Sequence, residues 1–228
     1  DYYKKYKNIN LKKRFKSQIS AGNWDKLEIL NFKRNWTLKK ITNFEIYKLK
    51  INGISGESGC GKTTFVDIIS GLLPLQIPNE YKIFVELNGL KQKDFISESF
   101  SSEIYYITQD TYLDRETIEQ ALKKNSFNFS NFGEIMKVVC LEKYISNYKN
   151  RLTTDLSGGE KKRLAIAKAL VSRKKIIVMD EITNGLDNSI KKTILKRLSD
   201  WKEKNNLTYI VISHDEDVLK WCDNIFNL

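Results

Sequence analysis

The stretch richest in chemistry is Gly56-Glu57-Ser58-Gly59-Cys60-Gly61-Lys62-Thr63-Thr64. It fits the spacing G-x-x-x-x-G-K-S/T. Glycines let a backbone wrap closely around phosphate oxygens with its N–H groups pointing inward. The Lys62 ammonium suits the β- and γ-phosphates, and the Thr63 hydroxyl suits a magnesium ion. A helix starting near Lys62 adds the positive end of its dipole. A second stretch, Ile176-Ile177-Val178-Met179-Asp180-Glu181, sets two carboxylates after four apolar residues. Asp180 is placed to hold magnesium through its water shell, and Glu181 to orient or deprotonate an attacking water. A third, Leu156-Ser157-Gly158-Gly159-Glu160, puts a serine and two glycines at a helix start, a second site for an anion.

These residues need elements to hold them. Leu27–Phe32, Ile41–Tyr47 and Lys50–Ile54 are rich in aromatic and β-branched residues and read as strands. Phe65, Ile68, Ile69 and Leu72 then recur at helical spacing behind the glycine-rich loop. Residues 81–107 read as strands broken at Asn88-Gly89, and residues 114–150 as mainly helical, with Ile135, Val138, Val139 and Leu141 near one face. Ser157-x-x-Glu160 is a capping box ahead of Leu164, Ala167, Leu170 and Val171. Ile176–Met179 and Tyr209–Ile212 are buried-strand runs flanking the helix marked by Ile190, Ile194, Leu198 and Trp201. Strands alternating with helices, with continuous apolar runs, predict an α/β fold on a parallel sheet. Such sheets bind ligands at the carboxyl ends of their strands, where Asp180 and Glu181 fall.

The three motifs, in their order along the chain, resemble the nucleotide-binding domain of ATP-binding cassette (ABC) proteins. Leu-Ser-Gly-Gly-Gln/Glu is that family's signature. The resemblance covers about residues 27–228 and implies a phosphate-loop (RecA-like) parallel core, an antiparallel β subdomain and an inserted helical subdomain at about 110–170. It implies ATP and Mg2+ as cofactors. Its partner would be a second such domain, arranged so that Leu156, Ser157, Gly158, Gly159 and Glu160 of one copy cover the ATP held by the other. Tyr106-Ile107-Thr108-Gln109 resembles the family's glutamine loop, giving Gln109 a place near magnesium and the attacking water. Asn184-Gly185-Leu186-Asp187 resembles its aspartate loop, usually Ser-Ala-Leu-Asp, so only Asp187 carries over. Ile212-Ser213-His214-Asp215 resembles its switch region, which puts His214, the single histidine, at the γ-phosphate. The resemblance assigns catalysis to Glu181, His214, Gln109 and Lys62, and metal binding to Thr63, Gln109 and Asp180. Trp36 is the adenine-stacking aromatic by spacing, with Phe32 as the alternative.

Charge and length narrow the function class. The chain has 39 basic and 28 acidic residues, a net +11. Residues 1–16 hold seven basic groups and one acid, so +6 of that excess lies in a short arm. A basic arm on a nearly balanced domain argues against nucleic acid as the partner. Three scattered cysteines without C-x-x-C spacing suggest a reducing compartment. No Asn-Lys-x-Asp for guanine is present, which disfavours a GTPase. The 47 positions between Gln109 and Leu156 leave no room for the long coiled coil of DNA-maintenance relatives. Leu113-Asp114-Arg115-Glu116-Thr117-Ile118-Glu119-Gln120 resembles an exporter pattern, although Asn150–Asp155 stands where exporters often carry Gly-Glu-x-Gly. Residue 1 is Asp. The expectation is therefore an exporter's ATPase over 26–228, with 1–25 as a linker from a membrane domain fused upstream, working at the cytoplasmic face of the membrane.

Overall fold

Strands β7 (Ile176–Asp180) and β8 (Thr208–Ile212) are buried at every position, and their side chains divide between two cores. Ile177, Met179, Tyr209 and Val211 enter one core; Ile176, Val178, Ile210 and Ile212 enter the other. A period of two with both faces covered explains why these segments read as unbroken apolar runs. The computed structural model describes residues 24–30, 44–57, 59–70, 82–87, 90–93, 101–110, 112–124 and 131–227.

Among these residues the parallel sheet runs in the order β6 (Ile104–Ile107), β7, β8, β3 (Ile51–Ser55), β9 (Asn224–Asn227). A second, antiparallel sheet has the order β2 (Phe44–Tyr47), β1 (Lys26–Leu30), β4 (Lys82–Leu87), β5 (Leu90–Lys93). Helix α1 (Lys62–Ile69) lies between the two sheets. Its Phe65, Val66 and Ile69 share a core with Trp24, Leu27, Phe44 and Ile46, and the Phe65 and Phe44 rings stack at 4.3 Å. The opposite core is built on α4 (Gly158–Val171) and α5 (Asn188–Asn205). Helix α6 (Glu216–Trp221) leads into β9. The parallel core and the separate antiparallel sheet agree with the sequence expectation.

Among the described residues of the 114–150 segment, helix is less continuous than expected. These residues contain α2 (Ile118–Lys123), α3 (Phe132–Val138) and a 3-10 turn at Glu142–Tyr144. Helix α3 stops where Cys140 takes a left-handed φ of 54°. Ile135, Val138, Val139 and Leu141 are all buried, the last two from beyond the helix end. Thr117 and Gln120 form a second capping box at the start of α2. Backbone bonds from Ile118 N–H to Arg151 O and Glu119 N–H to Tyr148 O tie this start to the segment leading into the signature.

Two buried details hold β3 in place. Asn52, with no exposed surface, donates to Tyr47 O (2.9 Å), Lys50 O (3.2 Å) and Tyr209 O (3.2 Å) and accepts from Tyr47 N–H (2.9 Å). It stitches the turn after β2 to β8 and leaves no polar atom unsatisfied. Gly53 faces Cys222 so closely that a Cβ there would lie 2.9 Å from Cys222 Sγ and 3.1 Å from Cys222 Cβ. Gly53→Ala should therefore destabilise the domain by about 1–3 kcal/mol through overpacking. A urea midpoint equal to wild type would contradict this, and adding Cys222→Ala should recover part of the loss.

Candidate functional site

Three strand ends build the site. β3 runs into the phosphate loop, β7 ends on Asp180 with Glu181 next, and β8 delivers Ser213 and His214. The sheet ladder continues past the strands: Ser213 N–H donates to Ile54 O (3.2 Å) and Glu181 N–H to Ile212 O (3.0 Å). These bonds fix the loops relative to one another before any side chain is considered.

In the phosphate loop, Gly56, Gly59 and Gly61 have φ of 150°, 82° and 113°, values that side chains with a Cβ rarely adopt. Cys60 N–H donates to Glu57 O (3.2 Å), closing the turn. The Lys62 ammonium reaches back over the loop to Gly56 O (2.7 Å) and Glu57 O (2.9 Å), with Cys60 Sγ at 3.8 Å. The loop thus curls around one positive charge at the first turn of α1. Ser58 lies outside the described residues, as does Trp36, and so does the side chain of Thr64.

A cavity of about 620 Å³ opens beside this loop. Gly56, Glu57, Gly59, Gly61, Lys62, Thr63, Gln109, Asp180, Glu181, Asn184 and His214 line it. The structure therefore brings together the expected Lys62, Thr63, Gln109, Asp180, Glu181 and His214. Asn184, which departs from the family pattern, joins them. Its N–H donates to Glu181 O (3.1 Å), and its carbonyl accepts from Lys162 Nζ (2.6 Å).

Glu181 is the most constrained residue of the site. It has a left-handed φ of 49°, is 8% exposed, and places Oε1 2.7 Å from His214 Nδ1. Its Oε2 is buried without a partner among the described residues. Strained backbone and an unsatisfied buried oxygen each cost on the order of 1–3 kcal/mol. His214 is held by this contact at an otherwise open position, its side chain 70% exposed. Asp180 is buried, which pushes its carboxyl up, while a hydrogen bond from Tyr106 Oη to Oδ2 (3.1 Å) acts in the opposite sense. Burial and the Asp180 charge in turn push the Tyr106 phenol up.

The signature residues do not line this cavity. Ser157 caps α4: its Oγ accepts from Glu160 N–H (3.3 Å), and Glu160 Oε2 accepts from Ser157 N–H (2.8 Å). Glu160 Oε1 also accepts from Tyr144 Oη (2.9 Å) and pairs with Lys143 (2.6 Å). Its carboxylate is thus engaged inside its own chain. Leu156 is buried beneath the cap, and Gly159 packs close to Leu186. A Cβ on Gly158, by contrast, would meet nothing within 4 Å. Asp187 caps α5, accepting from Ser189 N–H (2.8 Å) and Ser189 Oγ (2.6 Å), and these bonds lower its carboxyl pKa.

The sequence reading missed Tyr106, Tyr144 and the buried Lys191, which pairs with Asp215 at 2.6 Å behind the switch region. Tyr106 stands three residues before Gln109, but only strand register shows that it meets Asp180. Nothing in the sequence ties Lys191 to Asp215 before α5 and α6 are placed.

The ABC transporter family model matches residues 39–184, more than half of the chain. The chain is 36% identical over 187 residues to the methionine import ATP-binding protein MetN of Clostridioides difficile, covering 79% of this chain and 57% of that one. It is 30% identical over 234 residues to the lactococcin-G-processing and transport ATP-binding protein LagD of Lactococcus lactis, covering 97% of this chain and 31% of that one. The fold matches the structure of a bacterial Atm1-family ABC exporter with ATP bound at a TM-score of 0.76 and 23% identity, covering 93% of this chain and 38% of that chain. The chain belongs to the ABC transporter family and is an ATPase domain of it. It spans little more than half the length of the MetN relative and less than a third of LagD. No helix among the described residues is long and apolar enough to cross a membrane.

The signature cap makes a pH prediction. Burial alone would raise the Glu160 carboxyl, but Lys143, Ser157 and Tyr144 outweigh it and hold the pKa at about 2, against 4.5 for a free glutamate. Between those values protons bind the unfolded chain preferentially. The stabilisation is complete above about pH 4.5 and is lost as the pH falls toward 2. Glu160→Gln should cost about 1–3 kcal/mol at pH 6 and roughly half as much near pH 3. Urea midpoints of both proteins at the two pH values measure this, and a difference independent of pH would contradict it.

Proposed function

We propose that this domain binds MgATP in the 56–64 loop and hydrolyses it as half of a head-to-tail pair. The observation that carries the reading is Glu181, which is strained, buried and paired with His214 on the wall of the cavity that Lys62 and Thr63 line. A carboxylate held with one oxygen on a histidine and the other unpartnered suits accepting a hydrogen bond from an attacking water. Thr63, Gln109 and Asp180 are hard oxygen donors at one cavity, a set that suits magnesium. Magnesium, when bound, neutralises phosphate charge. Lys62 then exchanges its loop carbonyls for phosphate oxygens, Asp180 and Thr63 hold the metal's shell, and Glu181 with His214 positions water in line.

The open surface at Gly158 supports the paired arrangement. Ser157 and Gly158 are exposed at the start of a 14-residue helix, away from the cavity of their own chain. A γ-phosphate held by a second copy supplies the anion that such a helix start favours. Glu160 serves as the brace of this start, and Asp187 as the cap of the helix behind the 184–187 loop.

We further infer that the domain drives transport through a membrane partner and that the direction is export. The Leu113–Gln120 pattern and the basic 1–16 arm support export. The 36% identity to an import protein favours a second reading, a separate import ATPase. Membrane spans encoded directly upstream of Asp1 would support export, and an initiator methionine close to residue 1 would overturn it.

Glu181→Gln should lower turnover by roughly 10²–10⁴-fold while keeping ATP binding, so that ATP accumulates a dimer. Light scattering that shows only monomer with ATP would contradict the pairing. Lys62→Ala should abolish ATP binding, and an unchanged titration would remove the phosphate-loop assignment.

A further inference from the structure

Tyr106 of β6 sits opposite Val178 of β7 in the parallel register. Residues two apart on a strand share a face, so Asp180 lies on the same side as Val178. Asp180 is therefore the diagonal neighbour of Tyr106, a separation that a long aromatic side chain spans. The ring of Tyr106 packs against the core shared with α1, and its hydroxyl extends to Asp180 Oδ2 at 3.1 Å. The Asp180 carboxylate is 5% exposed, and among the described residues this is its side-chain hydrogen bond. The charged groups around it are Glu181, Lys62 and Asp67 of α1. Two of these three are acids and repel it, so its orientation is not set by charge pairing alone.

We propose that Tyr106 is a positioning residue for the metal side of the site: it holds Oδ2 of Asp180 and leaves Oδ1 directed at the water shell of magnesium. This rests on the MgATP reading above. Partners that orient a metal-binding carboxylate act on metal affinity, with little effect on binding of the bare ligand. The hydroxyl is one atom on a ring that packs against the core, so its removal isolates the hydrogen bond from the packing.

The test is Tyr106→Phe in the whole chain, with ATP affinity measured by fluorescent-nucleotide titration from zero to saturating Mg2+. Magnesium-free affinity should equal wild type, while the Mg2+ concentration for half-maximal tightening should rise about tenfold. The same shift should appear with Mn2+ as the probe. Val178→Ala, which loosens the same packing without touching the hydrogen bond, should lower the melting temperature and leave the Mg2+ midpoint in place. A Tyr106→Phe midpoint equal to wild type would overturn the proposal. So would a Val178→Ala midpoint shifted as far as that of Tyr106→Phe, since packing would then explain both. If wild type binds no ATP at any Mg2+ level, the site reading itself fails; if wild type responds to Mg2+ and Tyr106→Phe matches it, only the positioning role fails.

Discussion

Everything at this site depends on a ladder of backbone hydrogen bonds that outlasts its strands. Ser213 N–H to Ile54 O joins the end of β8 to the end of β3, and Glu181 N–H to Ile212 O joins the residue after β7 to β8. Three loops carrying a cation, two carboxylates and a histidine are thereby set in one frame. Parallel strands make this possible because their carboxyl ends all lie along one edge. Their cost is that both faces must be covered, which is what α1 with the antiparallel sheet does on one side, and α4 with α5 on the other.

Glu181 shows how that frame is used. A left-handed φ and a buried unpaired oxygen would be relieved in an isolated loop. Here its N–H is fixed to Ile212 O, its carbonyl takes the Asn184 N–H, and its carboxylate takes His214. With both sides of the peptide committed, the strain cannot relax without breaking the ladder. The same logic explains Lys191, buried beneath the switch region. Its pair with Asp215 holds that carboxyl below its usual range and anchors the residue after His214 to α5.

How much of this could be read in advance depends on the range of each interaction. The loop motifs, the capping box of α4 and the apolar runs of β7 and β8 are local patterns, and they stand where the sequence places them. The Tyr106–Asp180 and Lys191–Asp215 contacts span 74 and 24 positions and arise from sheet register and helix packing. No local pattern encodes them. Asn52 looks like an ordinary strand polar residue until Tyr47, Lys50 and Tyr209 surround it. Among the described residues of 114–150, helix is less continuous than the apolar spacing suggests for a related reason. The segment's apolar residues are spaced for burial, and turns after Val138 bury Val139 and Leu141 as completely as a helix would.

The two anion-suited sites of the chain differ in what completes them. The phosphate loop has its own cation, its own carboxylates and a cavity that its own strand ends enclose. The start of α4 has a finished cap, with Glu160 committed to Ser157, Tyr144 and Lys143, yet Gly158 faces open space. Gly158 has a φ that imposes no demand for glycine and no close neighbour to exclude a side chain. A glycine costs helix stability, about 1 kcal/mol against alanine in a helix interior and less at its start. Such a residue is accounted for when something outside the chain must approach the backbone. In the proposed pairing, the 56–64 loop of a second copy, bringing a nucleotide's terminal phosphate, would have the matching chemistry. The proposed two-fold closure would resolve this asymmetry between one enclosed site and one open site, which comes from the packing of a single chain.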